Sequence, residues 1–194
     1  MKDLVDVAAE LQQLLTSQGW KFCFMEGLAI QRWSEPRLTE DVDLTLLTGF
    51  GGEEAYVDFL LLHYQPRRPD AREFALRNRV LLLKTAEGIG IDVALGALPF
   101  EEMAIQRSRM MPFAPGIELR TCAAEDLIVM KAFADRPQDR IDLRNILVRQ
   151  GTRNLDWPHI RAQLQPLCEL KEQPEILTQL EQLRKTVASE EPDP

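Results

Sequence analysis

The stretch that decides the fold is Arg37-Leu38-Thr39-Glu40-Asp41-Val42-Asp43-Leu44, continued by Thr45-Leu46-Leu47. From Asp41 onwards polar and apolar residues alternate, which predicts a β-strand with one buried face. Asp41 and Asp43 are two residues apart and therefore leave the same face of that strand. Both carboxylates can reach one divalent cation, although such a pair is also typical of a solvated strand surface.

A third carboxylate occurs in a second strand pattern, Gly90-Ile91-Asp92-Val93-Ala94-Leu95. The apolar residues of this segment form one face, which places Asp92 on the other face together with Ala94. Asp92 can thus converge with Asp41 and Asp43 on one surface of one sheet. Oxygen ligands of this kind are those that Mg²⁺ or Mn²⁺ prefers.

The rest of the chain reads as an α/β half followed by a helical half. We expect a domain at residues 1–120, a helical domain at 121–187 and a disordered acidic tail at 188–194. A hairpin is predicted at residues 80–95, a Pro/Gly connector at 112–116, and a helix N-cap at Thr121. The other predicted elements are helices at 3–18, 27–33, 53–64, 99–107, 123–134, 139–150, 158–170 and 174–187, and strands at 20–24 and 117–120.

Composition narrows the class of protein. The 194 residues are 45% hydrophobic and 28% charged, which is ordinary for a globular chain. A formal charge of -8 disfavours broad electrostatic binding of DNA. Three scattered cysteines and the absence of an apolar leader or membrane span lead us to expect a cytoplasmic protein. With only two histidines, catalysis is expected to use carboxylates and a hard metal ion.

The motifs resemble those of the nucleotidyltransferase superfamily, and among its members most closely the AbiEii-type nucleotidyltransferase toxins. A glycine turn at Met25-Glu26-Gly27 precedes the R-x-T-x-D-x-D strand, and the Asp92 strand follows. Helical segments Glu125-Asp126-Leu127 to Lys131 and Arg136 to Leu143 match the family's E-D-L-x-x-x-K and R-x-x-D-x-x-D-L patterns. The resemblance covers residues 22–145 and implies a mixed sheet with flanking helices and a C-terminal helical domain.

The resemblance also implies the roles of individual residues. Asp41, Asp43 and Asp92 would form the metal and catalytic site, and Gly27, Arg37 and Thr39 would bind the nucleotide. From the helical half, Lys131 would neutralise triphosphate charge across a cleft, and Asp139 would face the same cleft. Read without the family, Lys131 is a solvated lysine, Asp139 a surface carboxylate and Gly27 a tight-turn glycine.

The expected reaction moves a nucleoside monophosphate from an NTP to an acceptor hydroxyl, with Mg²⁺ or Mn²⁺ as cofactor. The toxin resemblance implies tRNA as acceptor and a cognate antitoxin as partner; a protein side chain remains an alternative acceptor. The arginine-rich stretch at 67–79 either guides a polyphosphate or RNA end or is solvated surface. Glu26, which replaces the first glycine of the usual pair, favours the alternative of a weakened nucleotide-binding or protein-interaction module.

Overall fold

The computed structural model describes residues 3–191 and groups the chain into two compact units. Unit 1 contains the residues up to Leu28 together with Leu38–Cys122. Unit 2 contains Ala29–Arg37 and the residues from Ala123 onwards. Unit 2 thus includes a short segment that ends at Arg37, the first residue of the R-x-T-x-D-x-D motif.

Unit 1 is built on one sheet of seven strands. They are β1 (Phe22–Phe24), β2 (Asp41–Leu47), β3 (Gln65–Pro66), β4 (Val80–Lys84), β5 (Gly90–Gly96), β6 (Arg109–Ala114) and β7 (Ile117–Thr121). Their order is β3-β4-β5-β2-β1-β7-β6. The pairs β2–β5 and β1–β7 are parallel and the remaining pairs are antiparallel. The predicted mixed sheet and the predicted β4–β5 hairpin are therefore confirmed.

Helices flank this sheet in unit 1 and make up unit 2. In chain order they are α1 (Leu4–Ser17), α2 (Glu26–Trp33), α3 (Glu53–His63), α4 (Ala71–Asn78), α5 (Pro99–Arg107), α6 (Ala124–Ala134), α7 (Pro137–Gln150), α8 (Trp157–Lys171) and α9 (Glu175–Glu190). The first turn of α2 belongs to unit 1 and the rest of that helix to unit 2. None of these helices is long and apolar enough to cross a membrane.

The core of unit 1 follows from the alternation of the strands. Val42, Leu44 and Leu46 of β2 are buried in one cluster with the alternate residues of β5 and with the apolar stripe of α1. Burial of such side chains contributes about 1.5–3 kcal/mol each relative to exposure. Because every second residue enters the core, the carboxylates between them are held on the opposite face.

Two local predictions are wrong, and one helix was not predicted. The predicted connector at 112–116 is wrong for residues 112–114, which belong to edge strand β6 (Arg109–Ala114), and proline is tolerated in an edge strand because not every N–H there pairs with a neighbouring strand. Thr121 ends β7 and is buried, while Ala123 is the N-cap of α6. The arginine-rich stretch contains an unforeseen helix, α4.

The C-terminal helix is longer than the sequence predicts. Helix α9 continues through Glu190, whose carboxylate accepts a 2.6 Å hydrogen bond from Arg144. Glu191 in turn accepts a 2.5 Å hydrogen bond from the Thr152 N–H. Residues 188–191 are thus held by polar contacts and are not a disordered tail; residues 192–194 lie outside the described part of the chain.

Candidate functional site

Three carboxylates lie on one face of the central strands of the sheet. The parallel register of β2 and β5 places Asp43 directly opposite Asp92 and Asp41 opposite Gly90. Between them on each strand, Val42 and Ile91 point into the core. The strand geometry thus brings Asp41, Asp43 and Asp92 to one surface, as the alternation predicted.

Gly90 creates room for the Asp41 carboxylate. A Cβ atom at Gly90 would collide with Asp41 Oδ1 and would lie 2.8 Å from Asp41 Cγ. The Asp41 side chain therefore leans over β5 into space that only glycine leaves open. The glycine brings the charge of Asp41 towards the strand that carries Asp92.

A guanidinium group occupies the same face. Arg67 follows β3, and its N–H donates to the Leu82 carbonyl of β4 at 3.0 Å, which fixes its backbone beside the sheet. The Arg67 side chain forms an ion pair with Asp92 and a longer one with Asp41, with 3.6 Å between Nη1 and Oδ1. Sequence reasoning placed Arg67 in a basic stretch but did not connect it with the carboxylates.

The chemistry of this face fits a hard divalent cation. Asp92 Oδ1 is buried, has no hydrogen-bond partner among the described residues, and forms an ion pair with Arg67. Carboxylate oxygens are the ligands that Mg²⁺ and Mn²⁺ take. Within residues 3–191, however, no three His, Cys, Asp or Glu side chains are grouped tightly enough to enclose a metal ion. Binding would therefore require the carboxylates to converge and Arg67 to withdraw.

The Gly27 turn lies beside Asp43. The Met25 N–H donates to the Asp43 carbonyl at 3.0 Å, and the Gly27 N–H points at Asp43 Oδ2 from 3.5 Å. A Cβ atom at Gly27 would collide with the side chain of Thr39, whose own Cβ would lie 2.9 Å away. Gly27 is thus needed for the close approach of the R-x-T-x-D-x-D segment, and its φ is not in the left-handed region.

Glu26 adopts a backbone conformation that suits glycine. Its φ is +47°, in the left-handed region, although it opens α2. A non-glycine residue pays about 1–2 kcal/mol for this conformation. Glu26 therefore holds a backbone conformation that glycine would adopt without this cost.

Unit 2 contains a buried network of charged side chains. Lys131 is 1% exposed, and its ammonium lies 2.8 Å from Asp139 Oδ1 and 3.1 Å from Asp142 Oδ2. Asp142 also accepts hydrogen bonds from both Nε and Nη2 of Arg37 at 3.2 and 3.3 Å. Asp139 accepts a 2.6 Å bond from Arg136 Nε. The structure thus connects Arg37, Lys131 and Asp139 through Asp142, a residue to which the sequence assigned no role.

These contacts correct two expectations. Lys131 and Asp139 were expected to be exposed to a cleft, and both are buried within unit 2. Burial by itself raises the pKa of Asp139 and of Asp142. Hydrogen bonds to the charged forms outweigh this effect of burial and bring each pKa below its ordinary value. The donors are Arg136 and Lys131 for Asp139, and Gln138 and Lys131 for Asp142. Both carboxylates therefore stay charged at neutral pH. Two cations of the network are accessible: Arg37, with 38% of its side chain exposed, and Arg136, with 62% exposed.

The arginine-rich stretch is largely engaged in internal ion pairs. Arg68 binds Asp70 with two hydrogen bonds of 2.9 and 3.0 Å. Arg72 binds Asp58 at 2.7 Å and Glu54 at 2.6 Å. Arg79 contacts Glu53 and donates to the Gly49 carbonyl at 2.9 Å. Because acidic partners neutralise these guanidinium groups, the stretch is a weaker anion-binding surface than its composition suggests.

Comparison with known proteins places this geometry in a known fold. A nucleotidyltransferase-like antigenic protein from Paracoccidioides brasiliensis superposes with a TM-score of 0.53 at 17% identity, covering 92% of each chain. The crystal structure of ANT(2")-Ia in complex with adenylyl-2"-tobramycin gives 0.54 at 16% identity, covering 86% of this chain and 98% of that one. The solution structure of the same resistance factor gives 0.53 at 15% identity, covering 87% and 92%.

Sequence comparison adds no closer relative. No family model matches the chain, and no curated protein matches it significantly. The likeness is thus one of three-dimensional structure over nearly the whole chain, at low identity. It agrees with the mixed sheet, the flanking helices and the helical C-terminal part described above. The chain has the nucleotidyltransferase fold.

Proposed function

We propose that this protein is a metal-dependent nucleotidyltransferase that moves a nucleoside monophosphate from an NTP to an acceptor hydroxyl. The observation that carries the proposal is the in-register placement of Asp43 and Asp92, with Asp41 on the same face, in a chain of this fold. The turn at Gly27, which directs an N–H towards that face, supplies the second element of the family motif. AbiEii-type toxins remain the relatives proposed from the sequence motifs.

The proposed chemistry uses the carboxylates of unit 1. Asp41 and Asp43 hold Mg²⁺ or Mn²⁺, with Asp92 completing the set; when bound, the metal ion neutralises phosphate charge and polarises the reacting phosphoryl group. The acceptor oxygen forms a bond to the α-phosphorus while the bond to the β-phosphate oxygen breaks, and pyrophosphate leaves. Asp92 takes the proton of the acceptor hydroxyl. Gly27 and Thr39 provide a close approach to the phosphates.

Unit 2 contributes nucleotide-binding residues in this proposal. Arg37 meets phosphate charge, because its guanidinium is partly exposed and belongs to the R-x-T-x-D-x-D motif. Lys131 and Asp139 act by maintaining the charge balance around Asp142, which holds the guanidinium of Arg37 through two hydrogen bonds. The direct contact between Lys131 and triphosphate that the family resemblance implies would require this buried network to open.

Three classes of acceptor are proposed, the first from the sequence motifs and the second from a structural neighbour. The toxin resemblance favours a tRNA end, with an antitoxin as a partner of the protein. The neighbouring ANT(2")-Ia structure contains an adenylylated aminoglycoside, which makes a small polyhydroxylated cation the second acceptor class, in keeping with the net charge of -8. A protein hydroxyl is the third class to be tested.

One experiment tests the activity and the acceptor together. The protein is incubated with each α-³²P-labelled NTP and Mg²⁺ or Mn²⁺, in the presence of total tRNA, total protein or tobramycin, and label transfer is measured. We expect transfer to one class and its loss in the Asp41→Asn/Asp43→Asn double variant. Asp70→Asn is the matched control, since Asp70 is exposed and pairs with Arg68 away from the acidic face.

The alternative function is a nucleotide-binding or protein-interaction module without catalysis. The observation that favours it is Glu26, a carboxylate-bearing residue at the first position of a helix whose N-terminus would receive phosphate. No transfer to any acceptor, combined with saturable NTP binding, would support this module and exclude the transferase.

A further inference from the structure

We propose that Arg67 is a tethered cation that competes with the divalent metal ion for Asp41 and Asp92. The inference rests on the proposed metal site. It gives Arg67, which lies outside the motifs of the family resemblance, a role in controlling that site. The metal ion and the guanidinium of Arg67 would bind the same oxygens of Asp41 and Asp92 in turn. One of these two cations would thus always lie at the acidic face.

The contacts of Arg67 are specific to the acidic face. Its guanidinium reaches Oδ1 of Asp92 and Oδ1 of Asp41, and Asp92 Oδ1 has no hydrogen-bond partner among the described residues that would replace it. Gly90 supports the arrangement, because a Cβ atom there would lie 3.2 Å from Arg67 Nη1 as well as against Asp41. The missing side chain at Gly90 therefore makes room for the arginine and for its acidic partner at once.

The position of Arg67 permits exchange. Its backbone is fixed beside β4 by the hydrogen bond to Leu82, while 29% of its side chain is exposed, so that the guanidinium can leave without moving the strand. Arginine keeps its charge at all accessible pH values. It therefore cannot vacate the site by losing a proton, and only displacement frees the carboxylates.

Neighbouring arginines do not share this role. Arg68 lies one residue further along the chain but binds Asp70, and its guanidinium stacks 4.0 Å from the centre of the Phe74 ring. Arg72 is held by Asp58 and Glu54. Removing either charge leaves the ion pairs of the acidic face in place, which makes Arg68→Ala a matched control for Arg67.

The test is a calorimetric titration of the 194-residue protein with Mn²⁺ in the absence of nucleotide. Removing the competing charge should tighten binding, and we expect an affinity gain of about tenfold or more for Arg67→Ala and Arg67→Gln. Arg67→Lys retains the charge but loses the forked geometry and should fall between these variants and wild type. Arg68→Ala should bind like wild type. In an Asp92→Asn background, the gain from Arg67→Ala should shrink.

The sign of the effect separates this proposal from damage to the fold. A variant that only disturbs the site binds Mn²⁺ more weakly, so equal or weaker binding by both Arg67→Ala and Arg67→Gln, with circular dichroism unchanged, overturns the inference and leaves the metal site standing. If no variant takes up Mn²⁺, the proposed metal site fails and the competition fails with it. Melting curves add an independent readout. Without metal, Arg67→Ala should have a lower melting temperature than wild type, and added Mn²⁺ should raise the melting temperature of Arg67→Ala by more degrees than that of wild type.

Discussion

Replacing Lys131 by methionine tests the buried charge network of unit 2 most directly. Methionine keeps the length and apolar stem of the side chain but removes the ammonium that lies within 3.1 Å of both Asp139 and Asp142. The two carboxylates, each with 2% of its side chain exposed, then remain in the interior with one cation fewer. The family resemblance alone would predict a loss of nucleotide binding and little change in stability.

The structure predicts a large loss of stability instead. Breaking a buried ion pair by removing one partner typically costs 3–5 kcal/mol. Asp139 keeps its bond to Arg136 and Asp142 keeps Arg37, so the lower end, about 3 kcal/mol, is the expected cost. With a urea m-value of about 2 kcal/mol per molar, the unfolding midpoint should fall by about 1.5 M.

The assay is urea unfolding followed by far-ultraviolet circular dichroism at pH 7. Lys185→Met is the control, because Lys185 is exposed on α9 and should change the free energy of unfolding by less than about 0.5 kcal/mol. Asp139→Asn introduced into Lys131→Met should recover part of the loss by removing an uncompensated charge. A cost below about 1 kcal/mol for Lys131→Met would refute the reasoning, since the ammonium would then not be needed by the buried carboxylates.

Three further predictions concern pH, the Glu26 backbone and the Gly90 space. The lowered pKa values of Asp139 and Asp142 contribute stability that is fully present above the pKa of the unfolded chain, about 3.9, and is lost as the pH falls through the pKa values of the folded protein. The difference in unfolding free energy between wild type and Lys131→Met should therefore narrow below about pH 4. A difference that stays constant with pH would contradict this. Glu26→Gly should raise the free energy of unfolding by about 0.5 kcal/mol, because relief of the positive φ exceeds the entropic cost of glycine; a fall would show that Glu26 side-chain contacts outweigh the strain. In an Arg67→Ala background, where the competing guanidinium is already absent, Gly90→Ala should displace the Asp41 carboxylate and weaken Mn²⁺ binding in a calorimetric titration, and unchanged affinity there would argue against Asp41 as a ligand.

The sheet and the acidic face could be predicted because local alternation determines both. Residues 41–47 and 90–96 each place alternate apolar side chains in the core, and the same period fixes where Asp41, Asp43 and Asp92 point. Register between strands is not visible in such a pattern. That Asp43 pairs with Asp92 rather than with a neighbour two residues away follows from the packing of the whole sheet.

Strand β6 could not be predicted because its local sequence opposes the structure it adopts. Pro112 and the Pro115-Gly116 turn favour a connector, and Met110 is 42% exposed where a core strand would bury it. The strand exists because β7 presents a free edge to which residues 109–114 add. Tertiary pairing therefore outweighs local preference at this position.

The burial of Lys131 could have been predicted from the sequence of α6. Helix α6 has the sequence AEDLIVMKAFA, and its buried residues lie on most of its circumference. Lys131 lies four residues after Leu127 and three after Ile128, so it shares their face. A lysine on a helix that is apolar nearly all round needs buried acidic partners. Asp139 and Asp142, spaced three apart on the next helix, are the acids that this rule requires.

The position of Arg67 could not be predicted from local sequence, because it is determined by contacts with residues far away in the chain. The two-residue strand β3 sets its backbone against β4, and the partners of its side chain lie 26 residues before and 25 residues after it in the chain. Three carboxylates on one sheet face repel one another, and the repulsion is relieved by any cation of suitable size and reach. Arg67 of the same chain meets that requirement in the structure, and in the proposed function a divalent ion would meet it when bound. If both proposals hold, the identity of the cation on Asp41 and Asp92 would distinguish a resting form of this site from a form able to carry phosphoryl chemistry.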